Sequence, residues 1–148
     1  MVVPKRLGHI VLKVNDIDKS EGFYKDVLGL KVTHKVEQSM VFMTSGSLSH
    51  EIALFANDAN HREPQNEYTR LVHFAWQLKS FEDLKFFYNS LLANKIPISG
   101  IGDHGISIGV YFSDPDGNEI EVYYELPKSE WPKKEIFSGK FPLGSLNS

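Results

Sequence analysis

Residues 7–32 read LGHIVLKVNDIDKSEGFYKDVLGLKV, and residues 71–96 read LVHFAWQLKSFEDLKFFYNSLLANKI. Sliding the chain by 64 positions superimposes them without a gap. Leu7 falls on Leu71, His9 on His73, Phe23-Tyr24 on Phe87-Tyr88, Leu28 on Leu92 and Lys31 on Lys95. These are six identities, where chance gives about one or two at average residue usage. Local pattern repeats as well. In residues 8–14, Ile10, Leu12 and Val14 alternate with His9, Val11 and Lys13, the period of a strand with two unlike faces. Asp16 is a helix N-cap, Phe23, Tyr24, Val27 and Leu28 supply the apolar stripe, and Gly29 stops the helix. In the second copy residues 72–78 are strand-like. Ser80 and Asp83 stand at capping-box spacing before a helix carrying Leu84, Phe87, Tyr88, Leu91 and Leu92.

Each helix is followed by three β-rich stretches. The first copy predicts strands at Lys31–Val36, Met40–Ser45 and Glu51–Phe55; the second at Ile96–Ile98, Ser107–Phe112 and Glu119–Tyr124. Asp114-Pro115-Asp116-Gly117-Asn118 is a strong hairpin turn between the last two. The expected fold is therefore α+β: two tandem βαβββ modules forming one curved mixed sheet around a metal cavity. Module one covers about 5–56 and module two about 69–126, together one domain over 1–126. Polar Asn57–Tyr68 connects them. Residues 127–148 form a C-terminal tail with Pro127, Pro132 and Pro142, anchored by Trp131 and Phe137.

Composition narrows the functions available. Of 148 residues, 41% are hydrophobic and 24% charged, an ordinary globular balance. A formal net charge of −3 argues against non-specific nucleic-acid binding, which needs a basic face. No apolar run approaches the ~18 residues of a membrane span. Met1–Leu12 lacks the plan of a secretory signal, so a cytoplasmic location is expected. The absence of cysteine excludes disulfides, thiolate zinc sites and a cysteine nucleophile. Metal binding must then use His, Asp or Glu.

His9 and His73 are equivalent across the repeat and lie on the first strand of each module. A second correspondence, shifted by 68, pairs His50–Phe55 with Asn118–Tyr123 and makes Ala53 the counterpart of Glu121. Four equivalent positions thus point toward one cavity, and three of them can bind a metal. Two imidazoles and a carboxylate are the donor set of the facial triad that holds non-haem Fe(II) with positions open; Mn(II) and Zn(II) accept similar donors. Taken singly, each histidine reads first as a strand histidine with a satisfied hydrogen bond. Their equivalence, with an acid at a third equivalent position, moves the reading to metal ligands.

The strings GHIVLKVNDIDKSEGFYKDVLGLKV and VYFSDPDGNEIEVY resemble the vicinal oxygen chelate superfamily (glyoxalase, bleomycin resistance, extradiol dioxygenase), over residues 5–126. The resemblance implies metal ligands at His9, His73 and Glu121. Ala53 stands where glyoxalase I relatives usually carry a fourth ligand, a glutamate, and bleomycin-binding members lack the ligands present here. Ser49-His50-Glu51-Ile52-Ala53-Leu54-Phe55 is similar to the His-His-x-Ile-Ala-Leu stretch of extradiol ring-cleaving dioxygenases, which places their acid–base histidine on His50. Tyr111, ten residues before Glu121, matches the tyrosine that hydrogen-bonds a substrate oxygen. His104, in a loop resembling that of catechol 2,3-dioxygenase-like members, is a candidate substrate contact. His50 also reads as a strand-edge loop residue, facing the cavity only where the strand starts after it or bulges. Tyr111 also reads as a core aromatic. His34 and His61 lie in polar surroundings and read as solvated. Phe42, Trp76, Ile106 and Tyr123 are candidates to line a pocket. The leading expectation is an Fe(II)-dependent extradiol-type dioxygenase taking a small catechol and O2, with Mn, Zn or Ni as other metals. The alternatives are a metal-dependent isomerase or transferase of the glyoxalase or fosfomycin-resistance type, and a non-catalytic binding module. Members built from one pair of modules often dimerise, so the resemblance admits a homodimer.

Overall fold

The computed structural model describes residues 4–46, 48–57 and 71–131. They divide into two compact units: residues up to 57 together with Asp114–Asp116, and the remainder from residue 71 onward. In unit one, β1 (Ile10–Val14) leads into α1 (Ile17–Leu28), then β2 (Lys31–Val36), β3 (Met40–Thr44) and β4 (Ile52–Ala56). Unit two repeats the plan with β5 (Phe74–Gln77), α2 (Phe81–Ala93), β6 (Ile98–Asp103), β7 (Ser107–Ser113) and β8 (Glu119–Glu125). The strand orders are β1-β4-β3-β2 and β5-β8-β7-β6. In each, the first strand pairs parallel with the last and the other pairs are antiparallel. The two βαβββ modules stand as expected. The strands hydrogen-bond as two four-stranded sheets, however, where one continuous sheet was expected.

Local chemistry accounts for the helices. Asp16 is extended and its carboxylate accepts from the Lys19 amide at 2.9 Å, satisfying one of the helix's orphan donors. Gly29 takes the left-handed conformation (φ 68°), where a Cβ would be strained. Ser80 Oγ accepts from the Asp83 amide at 3.1 Å. Each helix turns its apolar stripe inward: Ile17 and Tyr24 from α1, Leu84 and Leu91 from α2 are buried. In unit one Leu12, Val14, Val41, Met43, Ile52 and Leu54 complete the core; in unit two Val110, Phe112, Ile120 and Val122 do.

One strand departs from its expected span. β6 runs Ile98–Asp103, not Ile96–Ile98. Gly100 and Gly102 have low strand propensity and disguised it, while pairing to Tyr111 and Gly109 of β7 holds them extended. In the tail, Trp131 is tied to the body by its indole N–H donating to Leu126 O at 2.7 Å. Phe137, His61 and most of the connector lie outside the described residues.

The Asp114–Asn118 hairpin forms, with Gly117 left-handed (φ 84°) and the Asp116 amide donating to Asp114. Its two carboxylates are bonded within unit one. Tyr24 Oη donates to Asp114 at 2.8 Å, and Asp116 accepts from the Asn15 amide, the Asn15 side chain and Ser20. Burial, reinforced by the Asp114 carboxylate, holds the Tyr24 phenol well above the usual range, so it is a donor at every physiological pH. Tyr24→Phe removes that donor from a buried carboxylate. It is expected to destabilise the fold by ~1.5–3 kcal/mol, read as a lower urea midpoint at unchanged m-value.

Candidate functional site

In unit two, cross-strand register assembles one polar face. Ala75, Glu121, Tyr111 and Gly100 form one row across the sheet; Gln77, Tyr123, Gly109 and Gly102 form the next. His73 immediately precedes β5, and its Nε2 lies 3.3 Å from Glu121 Oε2. Glu121 is only 7% exposed, so its carboxylate occupies a recess, and that recess exists because Gly109 has no side chain. A Cβ on Gly109 would stand 2.9 Å from the Glu121 carboxyl carbon and overlap its Oε1. Gly102 does the same for the aromatic groups. A Cβ there would be 2.8 Å from the Tyr111 ring and 2.9 Å from His104 Nε2.

Tyr111 packs edge-on against His73, with ring centroids 5.4 Å apart, and its phenol oxygen is 3.1 Å from His104 Nε2. Burial, then hydrogen bonding and charge from Glu121, pushes the phenol up to about 12, so it remains protonated at neutral pH. His104 thus contacts Tyr111. Trp76 is in register with Val122 and lies on the opposite face, away from Glu121. Tyr123 shares the Glu121 face.

Unit one gathers the other two candidates. β4 begins at Ile52, two residues after His50, so strand alternation does not bind that side chain. The His50 ring meets Phe42 edge-on at 5.2 Å and lies 4.5 Å from the His9 ring. Phe42 shares its face with Ala53 and Val11, and Ala53 is fully buried. The approach to β4 is held by several bonds. Ser49 Oγ is 3.1 Å from His50 Nδ1, and Thr33 Oγ1 donates to Ser49 O at 2.6 Å. Glu51 accepts from Thr44 Oγ1 and from the Ser45 amide and hydroxyl. Burial works to raise the Glu51 pKa, but these bonds and the Arg6 charge hold it below the usual carboxylate range.

Thr33, His34, Phe42, Ser49 and His50 line a groove of about 280 Å³ that is open to solvent. His34 borders this groove and is solvent-exposed, as its polar surroundings implied. It stands opposite Phe42 across the strands.

His9 and His50 are therefore brought together in unit one, and His73, Glu121, Tyr111 and His104 in unit two. Among the described residues, no group of three His, Asp or Glu side chains is drawn together as a metal site. The donors themselves suit a divalent first-row cation: an imidazole nitrogen beside a carboxylate oxygen in a glycine-lined recess.

Residues 6–122 match the Glyoxalase/Bleomycin resistance protein/Dioxygenase superfamily. The chain belongs to that superfamily. Among curated members it is similar to catechol-2,3-dioxygenase of Bacillus subtilis, 33% identical over 127 residues, which cover 86% of this chain and 44% of the relative. The chain thus spans less than half the length of that dioxygenase. It is also similar to the metallothiol transferase FosB of Staphylococcus haemolyticus, 30% identical, covering 80% of this chain and 83% of that one. Among solved superfamily structures, lactoylglutathione lyase from Agrobacterium tumefaciens superposes with a TM-score of 0.66. It is 27% identical, with 82% of this chain and 94% of that one covered. No helix among the described residues is long and apolar enough to cross a membrane.

Proposed function

We propose that the chain is an extradiol-type dioxygenase, a cytoplasmic homodimer using Fe(II) and O2 to cleave a small catechol beside its two hydroxyls. The observation that carries this reading is the His73–Glu121 pair with the Tyr111 phenol against it. The 33% identity to a catechol-2,3-dioxygenase supports it. His73, Glu121 and, by its equivalence in the repeat, His9 would hold the metal. When bound, the metal supplies a centre where both catechol oxygens and O2 are held together and the catechol is made more acidic.

The chain's own groups have distinct tasks. Tyr111, kept protonated, donates a hydrogen bond to a substrate oxygen. His104 holds that phenol in place. His50, with Nδ1 engaged by Ser49, has Nε2 available to take and return a proton during ring opening. Both atoms of O2 enter the product as one ring carbon–carbon bond breaks.

Anaerobic loading with Fe(II), followed by O2 uptake over monocyclic and bicyclic catechols, tests the reading. One O2 consumed per ring opened is expected. No uptake by fully loaded protein on any catechol overturns it. A second reading, a metal-dependent thiol transferase, is supported by the 30% identity to FosB. Activity with Mn, Zn or Ni and a thiol, and none with Fe(II), would select it. Against a glyoxalase stands Ala53, an apolar side chain buried where a fourth carboxylate would be needed.

A further inference from the structure

We propose that Thr33 is a positioning residue for His50: a bulge in β2 turns its hydroxyl onto the Ser49 carbonyl, and through Ser49 it fixes the His50 imidazole. This role rests on the dioxygenase reading for the task His50 performs. The bulge is visible in the strand register. Val32 stands opposite Met43 and His34 opposite Phe42, neighbours on β3, so Thr33 is an extra residue with no partner of its own. A bulge re-aims the side chain of its extra residue, and bulges are common beside active sites. Thr33 Oγ1 reaches across β3, 3.2 Å from Phe42 O, and donates to Ser49 O at 2.6 Å.

That bond falls where the sheet gives out. Glu51 is still pinned on both sides, its amide donating to Met43 O at 2.9 Å and its carbonyl accepting from the Ile10 amide at 3.0 Å. Ser49 and His50 precede it, and neither belongs to a strand ladder. Side chains take over there. Thr33 holds the Ser49 carbonyl, and Ser49 Oγ lies 3.1 Å from His50 Nδ1. The ring so placed meets Phe42 edge-on at 5.2 Å. Both bonds lie at the surface, where water competes and the gain in stability is small. What they add is one orientation for the ring.

Unit two contains the same device at the corresponding place of the repeat. Ile98 stands opposite Phe112 and Gly100 opposite Tyr111, so Ser99 is the extra residue of β6. Its hydroxyl reaches across β7 to Glu119 Oε1 at 3.3 Å, at the head of the strand that carries Glu121. In both units a hydroxyl set out of register on the edge strand braces the entry to the last strand, beside a candidate site residue.

Proton NMR of the iron-free full chain reads the ring position without turnover. His50→Gln identifies the His50 ring signals by their loss, and Phe42→Leu gives their position without the phenyl ring current. Thr33→Val keeps the β-branched shape and loses the hydroxyl. It is expected to move these signals most of the way to the Phe42→Leu value. Ser49→Ala is expected to do the same, and Thr33→Ser to keep the wild-type position. Ser39→Ala removes a similar surface bond on the same hairpin, Ser39 Oγ to Val36 O at 2.7 Å, and is expected to leave the signals in place. With O2 uptake established, Thr33→Val is expected to lower kcat about tenfold at unchanged KM and iron content, less than the ~10²-fold of a misplacement of about 1 Å. Unmoved His50 signals in Thr33→Val, equal movement in Ser39→Ala, or unchanged kcat where the ring has moved overturns the proposal. Moved signals in a protein that consumes no O2 with any catechol refute the dioxygenase reading and leave Thr33 as the residue that places His50.

Discussion

Gly109→Ala is expected to weaken metal retention by ~10–100-fold, although residue 109 offers no ligand atom. The reason is steric. The Glu121 carboxylate fills the space a Cβ at 109 would need. It sits against a buried sheet face with little room to yield, so the added methyl rotates it away from His73 Nε2. Overpacking of this kind costs about 1–3 kcal/mol of stability, which denaturation would register alongside the metal loss. Gly100→Ala supplies the control. It lies on the same face in the row of Glu121 and Tyr111, yet a Cβ there meets nothing within 4 Å. Its metal content is expected to match wild type, with stability equal or slightly higher because alanine narrows the unfolded ensemble. Glu121→Ala, His73→Ala and His9→Ala are each expected to abolish retention outright. Metal analysis after extensive dialysis separates these outcomes. Full retention by Gly109→Ala would remove Glu121 from the ligand set.

His50→Ala is expected to keep its metal and lose turnover by ~10²–10⁴-fold, the range for removing a positioned acid–base group. The side chain is well placed for that role. Ser49 engages Nδ1, Phe42 braces the ring edge-on, and the His9 ring lies 4.5 Å away. Because the strand starts at Ile52, removing the ring disturbs no sheet hydrogen bond. Metal content equal to wild type with kcat reduced supports the assignment. Metal loss in this variant would make His50 a ligand.

The parts of this protein that were legible in its sequence are those governed by interactions a few residues apart. Asp16 bonds the amide three residues on, as Ser80 does, and Gly29 adopts the one conformation that its missing Cβ favours. The hairpin at Asp114–Asn118 and the alternation of β1 belong to the same class. The 64-residue repeat carried this local reading to module level. β6 was shortened because two glycines weaken the local signal, and only pairing with β7 reveals it.

The site divides along the same line. Residue types and the repeat nominated His9, His73 and Glu121, because equivalence between copies is written in the chain. Gly102 and Gly109 could not be nominated, since each matters for what stands beside it on another strand. Gly109 is a site residue because the carboxylate of a neighbouring strand occupies its empty Cβ position. The sequence by itself determined two βαβββ modules and the nitrogen and oxygen donors they carry, through caps, alternation and internal repetition. Only the tertiary structure decided which groups share a face, because register and excluded volume are properties of strands brought together, not of either strand alone.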